Sequence, residues 1–426
     1  MKWICSQIGA REHYAVPRVL HAEGKLESLY TDFWADDFWK SLGWLPGMQG
    51  LSTRHHDDLR AARVYGFHLG TLKSKFLQTL HGRNPYEGFV TVGRNFGKSV
   101  RSSLMKKKGV NWEETIFFGY DTGFLEPARW VKSMGGRAVV CQMDPSRSEM
   151  DLVIEEEELM PNPGMKNFLV PESYFRRREA EWSESDLVIV NSLWSKRGLI
   201  SQGVKDEKIA VVPLAYETSA GSIQVGLPKV APQSGAVQNP PSSSANESSF
   251  DAKQPLRVLF LGQVIPRKGI RYLIEAATIM QCEPIRFDVV GPIGIPDEII
   301  SSAPRNMTFH GPVPRNRTEE CYESADLFVL PTLSDGFALT QLEAMSRGLP
   351  VITTQNCGDV VTPGEDGMIV PPRSAEAIVA VLRLLMHRPD LLATMSKKAL
   401  RKASCFSLDR LALNLRDIEN MVGSIS

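Results

Sequence analysis

From Leu256 onward the chain alternates between two kinds of segment, and this alternation constrains the fold more than any other feature of the sequence. Leu256–Leu261 (Leu-Arg-Val-Leu-Phe-Leu) is a short apolar run that ends at Gly262. Arg271–Met280 follows with helical spacing, its apolar positions being Leu273, Ile274, Ala277 and Met280. Strand-like runs recur at Ile285–Val290, Met307–His310, Leu327–Leu330 and Pro350–Thr353, alternating with helical stretches at Arg317–Ser324 and Leu339–Ser346. Short apolar strands alternating with helices indicate a parallel sheet wound with crossover helices. The N-terminal part repeats the pattern less cleanly, with strands expected at Trp3–Ser6, Thr115–Gly119, Ala138–Cys141, Leu187–Asn191 and Ile209–Val212. Residues 33–90 are rich in Trp, Phe and His and show no steady period. The expected class is α/β, with two doubly wound domains in tandem.

One segment separates the two parts. Thr218–Gln254 is rich in Ser, Pro, Gly and Asn, with Pro228, Pro232, Pro240 and Pro241 and the run Ser242-Ser243-Ser244. With few large apolar residues it cannot bury enough surface to offset the entropy of ordering. The expected organisation is a Rossmann-like domain over 1–216, a flexible linker or insertion over 217–254, and a second Rossmann-like domain over 255–404. A C-terminal helix over 405–426 is expected to pack back on the first domain.

Charge and cysteine usage narrow the function classes. The 426 residues carry 49 Lys and Arg against 49 Asp and Glu, so the net charge is zero. A general nucleic-acid binder, whose affinity rests on neutralising phosphates, is a poor candidate on that ground. Cys5, Cys141, Cys282, Cys321, Cys357 and Cys405 are scattered without a C-x-x-C pair, which argues against a zinc site or a disulfide framework and fits a reducing cytosol. The N-terminus turns polar within its first six residues, unlike a signal peptide. No apolar run approaches the ~18 residues of a membrane span. A soluble, cytoplasmic protein is expected, at most peripheral to the inner face of a membrane.

Three glycine motifs bear on phosphate binding. Gly93-Arg94-Asn95-Phe96-Gly97-Lys98-Ser99 has three residues between its glycines where a P-loop needs four. Gly291-Pro292-Ile293-Gly294 follows a strand but lacks the third glycine and the helix of a dinucleotide fingerprint. Gly262-Gln263-Val264-Ile265-Pro266-Arg267-Lys268-Gly269 runs from a strand straight into a helix, so backbone amides and the cations Arg267 and Lys268 gather at one spot suited to a diphosphate. A second strand–loop–helix element, Pro331–Met345, carries Gly336 for close backbone approach, Asp335 in the loop and Glu343 about two turns into a helix that begins near Phe337. The plainer alternatives are an exposed basic turn for Arg267 and Lys268, a helix cap for Asp335 and a solvated charge for Glu343.

The span Leu256–Pro372 resembles the donor half of the retaining family 4 glycosyltransferases. Their signature is two acids separated by seven residues, in a context like Glu-Gly-Phe-Gly-x-x-x-x-Glu-Ala-Met followed by Gly-x-Pro-Val-Ile. This chain reads Asp335-Gly336-Phe337-Ala338, then Glu343-Ala344-Met345 and Gly348-Leu349-Pro350-Val351-Ile352. Gly364-Glu365-Asp366-Gly367 and Leu187–Gly203 extend the likeness. The resemblance implies the GT-B fold, two Rossmann-like domains facing across a cleft, the first for the acceptor and the second for the donor. It implies retaining transfer from a nucleotide-diphosphate sugar, as co-substrate, to a glycan, lipid-linked or small-molecule acceptor in polysaccharide biosynthesis. No metal and no further cofactor are called for. Lys268, assisted by Arg267 and the Gly262 turn, would bind the diphosphate; Glu343 would hold the ribose. Asp335 and the amides of Gly336, Phe337, Ala338 and Leu339 would face the sugar and phosphate, with Asp335 and Lys268 as catalytic residues.

The chain departs from the family pattern at three places. Asp335 replaces the usual Glu, and Gln263 replaces the Arg of a Gly-Arg pair. Where the family often has a histidine after a strand of the first domain, Ala138–Pro145 offers Gln142 and Asp144, so Asp144 is the catalytic candidate there and Gln142 an acceptor contact. Gly9 and His13, after the first expected strand, are further acceptor-side candidates. Arg94–Lys108 is basic and acid-free, with Phe96, Val100 and Leu104 on one face, and suits either an anionic membrane or a solvated domain helix. Two other functions stay open: a non-catalytic nucleotide-sugar binder and a GT-B nucleotide-sugar 2-epimerase.

Overall fold

The computed structural model describes residues 1–41, 44, 49–68, 84–159, 170–217, 250–251, 253–314 and 317–424. Of the expected insertion, 218–249 and 252 lie outside the described residues. The chain divides into two units: Met1–Met150, Asn167–Ala215 and Ser407–Ser426 form the first, Asp151–Lys166 and Tyr216–Phe406 the second.

The first unit is built on a seven-stranded sheet of order β3-β2-β1-β4-β5-β6-β7. The strands are β1 (Lys2–Gln7), β2 (Leu26–Thr31), β3 (Val64–Gly66), β4 (Thr115–Tyr120), β5 (Arg137–Gln142), β6 (Leu187–Val190) and β7 (Ile209–Val211), all paired in parallel. Alternate residues supply two apolar layers, which is why the central strands β4, β5 and β6 read as largely apolar runs. Trp3, Cys5, Ile116, Phe118, Val139 and Ile189 meet α1 (Ala15–Ala22) on one face. Ile4, Phe117, Ala138, Val140 and Val188 face α2 (Pro85–Leu104) and α3 (Leu125–Ser133) on the other. The C-terminal helix Leu408–Gly423 adds Leu411, Leu415, Ile418 and Val422, one stripe at spacing four and three, to the first of these layers. Its Arg416 and Glu419 pair with Glu23 (2.7 Å) and Lys25 (2.6 Å) of the same unit.

The Gly93–Ser99 motif lies inside α2, not in a loop. A Cβ at Gly93 or Gly97 would collide with Thr122 or Glu126, so these glycines let α2 pack closely on the 122–126 segment. They cradle no phosphate.

The second unit has six parallel strands in the order β10-β9-β8-β11-β12-β13. They are β8 (Leu256–Leu261), β9 (Ile285–Val290), β10 (Met307–Gly311), β11 (Leu327–Leu330), β12 (Val351–Thr354) and β13 (Gly367–Val370). The winding reverses between β8 and β11. In an open parallel sheet that switch point leaves a crevice at the carboxyl ends of the two strands, where ligands bind. The loops at 262–269 and 331–339 leave the sheet at this place.

Candidate functional site

The two loops are fastened to each other. The first leads from β8 into α5 (Ile270–Ile279); the second leads from β11 into a short helix, α7 (Thr340–Met345), preceded in sequence by α6 (Thr318–Glu323). The Leu333 amide donates to the Arg267 carbonyl (2.9 Å), and the Thr332 hydroxyl donates to the same oxygen (3.2 Å). Arg267 Nη1 donates to the Ser334 carbonyl (2.8 Å), so part of its guanidinium holds the loops together. Gly269 has φ +74°, and a Cβ there would collide with the Pro331 carbonyl. Only glycine satisfies both the left-handed backbone and this approach.

Lys268 Nζ meets Asp335 Oδ2, with both side chains largely shielded from solvent. Two residues chosen from separate motifs thus form one ion pair at the switch point. Asp335 is further fixed by its own backbone: its Oδ1 accepts from the Phe337 amide (3.2 Å), and its amide donates to the Asn356 carbonyl (2.9 Å). Asn356 Nδ2 returns a bond to the Leu333 carbonyl (2.9 Å). Gly336 and Phe337 are buried, the Phe337 ring lying edge-on to Phe406 at 6.0 Å. Burial pushes the neighbouring Cys357 thiol up to about 11, against the opposing charge of Lys268. Gly262 and Leu339 are partly exposed beside these groups, whereas Gln263 points out to solvent.

The helix starts later than its sequence suggests. Ala338 has φ +58°, which interrupts helical geometry after Phe337, and α7 begins at Thr340. Glu343 therefore sits in the first turn rather than two turns in. Its Oε2 accepts a 2.7 Å hydrogen bond from the Tyr322 hydroxyl of α6. Gln341 Nε2 donates to the Phe337 carbonyl (2.8 Å), clamping the loop to the helix.

On the acceptor-side candidates of the first unit, the structure separates support from exposure. Gln142 is fully buried: its Oε1 accepts from Trp182 Nε1 (3.1 Å), and its Nε2 donates to the Asp144 carbonyl (3.2 Å). Asp144 is gripped by both Nη atoms of Arg178 (2.7 and 2.9 Å), and Arg178 also meets Asp121 (2.6 Å). Gly9 donates to Asp32 Oδ1 (2.7 Å) from a left-handed conformation (φ +80°). His13 is exposed and belongs to three successive left-handed residues, Glu12, His13 and Tyr14. Glu12 accepts from the Tyr120 hydroxyl (3.1 Å), and burial pushes its carboxyl up to about 7.

Several of these residues escaped sequence reasoning. Arg178 lies in the polar helix α4 (Glu172–Glu184) with nothing in its spacing to mark it as buried. The available signal was Asp121, an acid directly after the largely apolar run Thr115–Tyr120, which a parallel sheet places at its carboxyl edge. Tyr322 and Asn356 carried no comparable signal.

Residues 255–388 match the family described as Glycosyl transferases group 1. The matched segment lies wholly within the second unit. The group 1 segment includes every donor-side residue named above. A D-inositol 3-phosphate glycosyltransferase of Rhodococcus opacus (strain B4) is 31% identical over 180 residues, covering 38% of this chain and 40% of the relative. The chain thus spans about two fifths of the length of such curated relatives. The sucrose-phosphate synthase of Thermosynechococcus elongatus superposes with a TM-score of 0.63 at 17% identity, covering 100% of both chains. Anabaena Alr3699/HepE, solved in complex with UDP, superposes with a TM-score of 0.60 at 15% identity, covering 99% of this chain and 100% of that one. At such identities the likeness is one of fold, and the fold class is GT-B, with two parallel-sheet α/β domains. Among the described residues no helix is long and apolar enough to cross a membrane.

Proposed function

We propose that the chain is a retaining glycosyltransferase whose second unit holds a nucleotide-diphosphate sugar and passes the sugar to a glycan, lipid-linked or small-molecule acceptor. The observation that carries this reading is the Lys268–Asp335 contact between two fastened loops at the switch point of a parallel sheet. A diphosphate arriving there competes with Asp335 for Lys268 and leaves the Asp335 carboxylate facing the sugar. As the glycosidic bond breaks, negative charge grows on the phosphates while the sugar becomes oxocarbenium-like. Lys268 and the amides of residues 336–339 meet the first charge from fixed positions, which favours the transition state over the ground state. Glu343 holds the ribose hydroxyls. The domain relatives and the family pattern around Asp335 and Glu343 support this division of roles.

Nucleotide release from a panel of sugar nucleotides, with and without acceptor mixtures, tests the reading. Lys268→Ala and Glu343→Ala should each weaken donor use at least tenfold while the fold persists. Unchanged kinetics in both variants would overturn the assignment of this crevice. Tight binding without release in any mixture would favour the non-catalytic binder, which the Gln263 and Asp335 departures suggest.

The acceptor reading includes an anionic membrane surface. Arg94, Lys98, Arg101 and Lys108 are exposed at spacing four, three and seven along and just beyond α2, with exposed Met105 between them. Lys107 stands apart, committed to Glu27 (3.2 Å) and Ser28 (3.0 Å). Such a surface binds anionic vesicles in a salt-sensitive manner. Sedimentation with phosphatidylglycerol vesicles at low and high salt checks it, and absence of binding at low salt removes the membrane from the account.

A further inference from the structure

Glu343 presents its two carboxylate oxygens to different surroundings. Oε2 accepts the Tyr322 hydroxyl at 2.7 Å. Oε1 accepts no hydrogen bond from any described residue, and the side chain is only half-buried. Tyr322 itself is 3% exposed, and its ring packs on Phe328 of β11 at 6.1 Å. An ionised carboxylate only accepts, so the tyrosine hydroxyl must be the donor. Burial and the Glu343 charge both raise the phenol well above its ordinary value, so that proton stays in place.

The terminal torsion of a glutamate is soft, and a carboxylate held at no point would sweep a broad range of orientations. Here the Tyr322 hydroxyl restricts that freedom, and three further contacts fix the backbone and the two helices that carry the pair. Glu343 is anchored by its amide to the Leu339 carbonyl (3.0 Å), and its carbonyl accepts from the Ser346 hydroxyl (2.7 Å). Arg347, just after α7, pairs with Glu319 of α6 at 2.6 Å, so the helix bearing Tyr322 is tied to the helix bearing Glu343. With Oε2 taken by the Tyr322 hydroxyl, Oε1 is the oxygen left to accept from a ligand.

We propose that Tyr322 is a positioning residue that orients Glu343 Oε1 to accept a hydroxyl of a vicinal diol, and so sets how strongly the site prefers a ribonucleotide over its deoxy counterpart. This rests on the reading of the crevice as a nucleotide-diphosphate site. Tyr322 touches no ligand and acts through Glu343. A tyrosine that merely filled the core would, when altered, loosen every ligand equally.

The test compares binding of UDP, GDP and ADP with that of the matching 2′,3′-dideoxynucleoside diphosphates, in the wild-type chain, Tyr322→Phe, Glu343→Ala and the double variant. Phenylalanine keeps the ring and removes only the hydroxyl, and a thermal melt of each variant reports folding. For whichever nucleotide binds, Tyr322→Phe should lower the ribo-to-dideoxy preference about three- to tenfold, the scale of one hydrogen bond, while dideoxy binding hardly changes. In the Glu343→Ala background the same substitution should have no further effect. An unchanged preference in Tyr322→Phe, or equal loss of both ligands, overturns the positioning role while leaving the site standing. Failure of all three nucleotides to bind the wild-type chain overturns the site itself and the inference with it.

Discussion

Ala338 occupies a position where the family signature has glycine, and its φ of +58° explains why. A left-handed backbone costs a residue with a Cβ roughly 1–2 kcal/mol. Glycine removes that strain, but the freer unfolded chain takes back about 0.5–1 kcal/mol. Loss of a half-buried methyl takes back a further ~0.4 kcal/mol. Ala338→Gly should therefore gain only about 0.5 kcal/mol, whereas Ala338→Val, with a branched Cβ in the same conformation, should lose about 1–2 kcal/mol. With a urea dependence of ~2 kcal/mol per M, the unfolding midpoints of the two variants should differ by about 1 M, with the wild type nearer Gly. The assay is urea unfolding of the full chain, followed by hydrogen exchange at amides of the second unit so that its transition is read separately. Equal midpoints for Gly and Val would refute the reasoning, because no other term distinguishes them so strongly.

Two further predictions concern the fastened loops of the second unit and a buried acid of the first. Gly269→Ala, which combines a left-handed φ with a collision at Pro331, should part the two loops and lower the melting temperature by several degrees, and nucleotide binding should fall with it; a normal melt with normal binding would contradict the fastened-loop description. Glu12 holds its proton up to about pH 7 in the folded chain against about 4.5 when unfolded, so its contribution to stability is greatest below that range and is lost as pH rises through it. Glu12→Gln should flatten the fall in melting temperature between pH 5 and pH 8, and an unchanged slope would rule out the buried proton.

Much of the sheet was legible because parallel strands buried on both faces leave uninterrupted apolar runs. Leu256–Leu261, Ile285–Val290 and Leu327–Leu330 coincide with β8, β9 and β11 to the residue. Strand β2 was not legible, since Leu-Glu-Ser-Leu-Tyr-Thr reads as mixed. Its Ser28 is buried, with the hydroxyl accepting from Lys107. β13 was hidden by its leading glycine, needed because a Cβ at Gly367 would collide with Val351. Within the candidate site, Lys268, Asp335 and Glu343 stand out through their motifs. The tertiary partners that define their geometry, Tyr322 and Asn356, come from other elements of the unit, and no local pattern in the sequence encodes such meetings. The late start of α7 was likewise invisible, because alanine ordinarily favours the helix that Ala338 here interrupts.

The loops of the second unit are proposed to hold a nucleoside diphosphate. A ligand that binds only the folded chain raises its melting temperature by mass action. A thermal-shift series with UDP, GDP and ADP on the wild-type chain and on Lys268→Ala tests this most directly. The account predicts a concentration-dependent rise for at least one nucleotide that Lys268→Ala abolishes or moves to at least tenfold higher concentration. No shift with any of the three, or a shift that Lys268→Ala leaves intact, would contradict it.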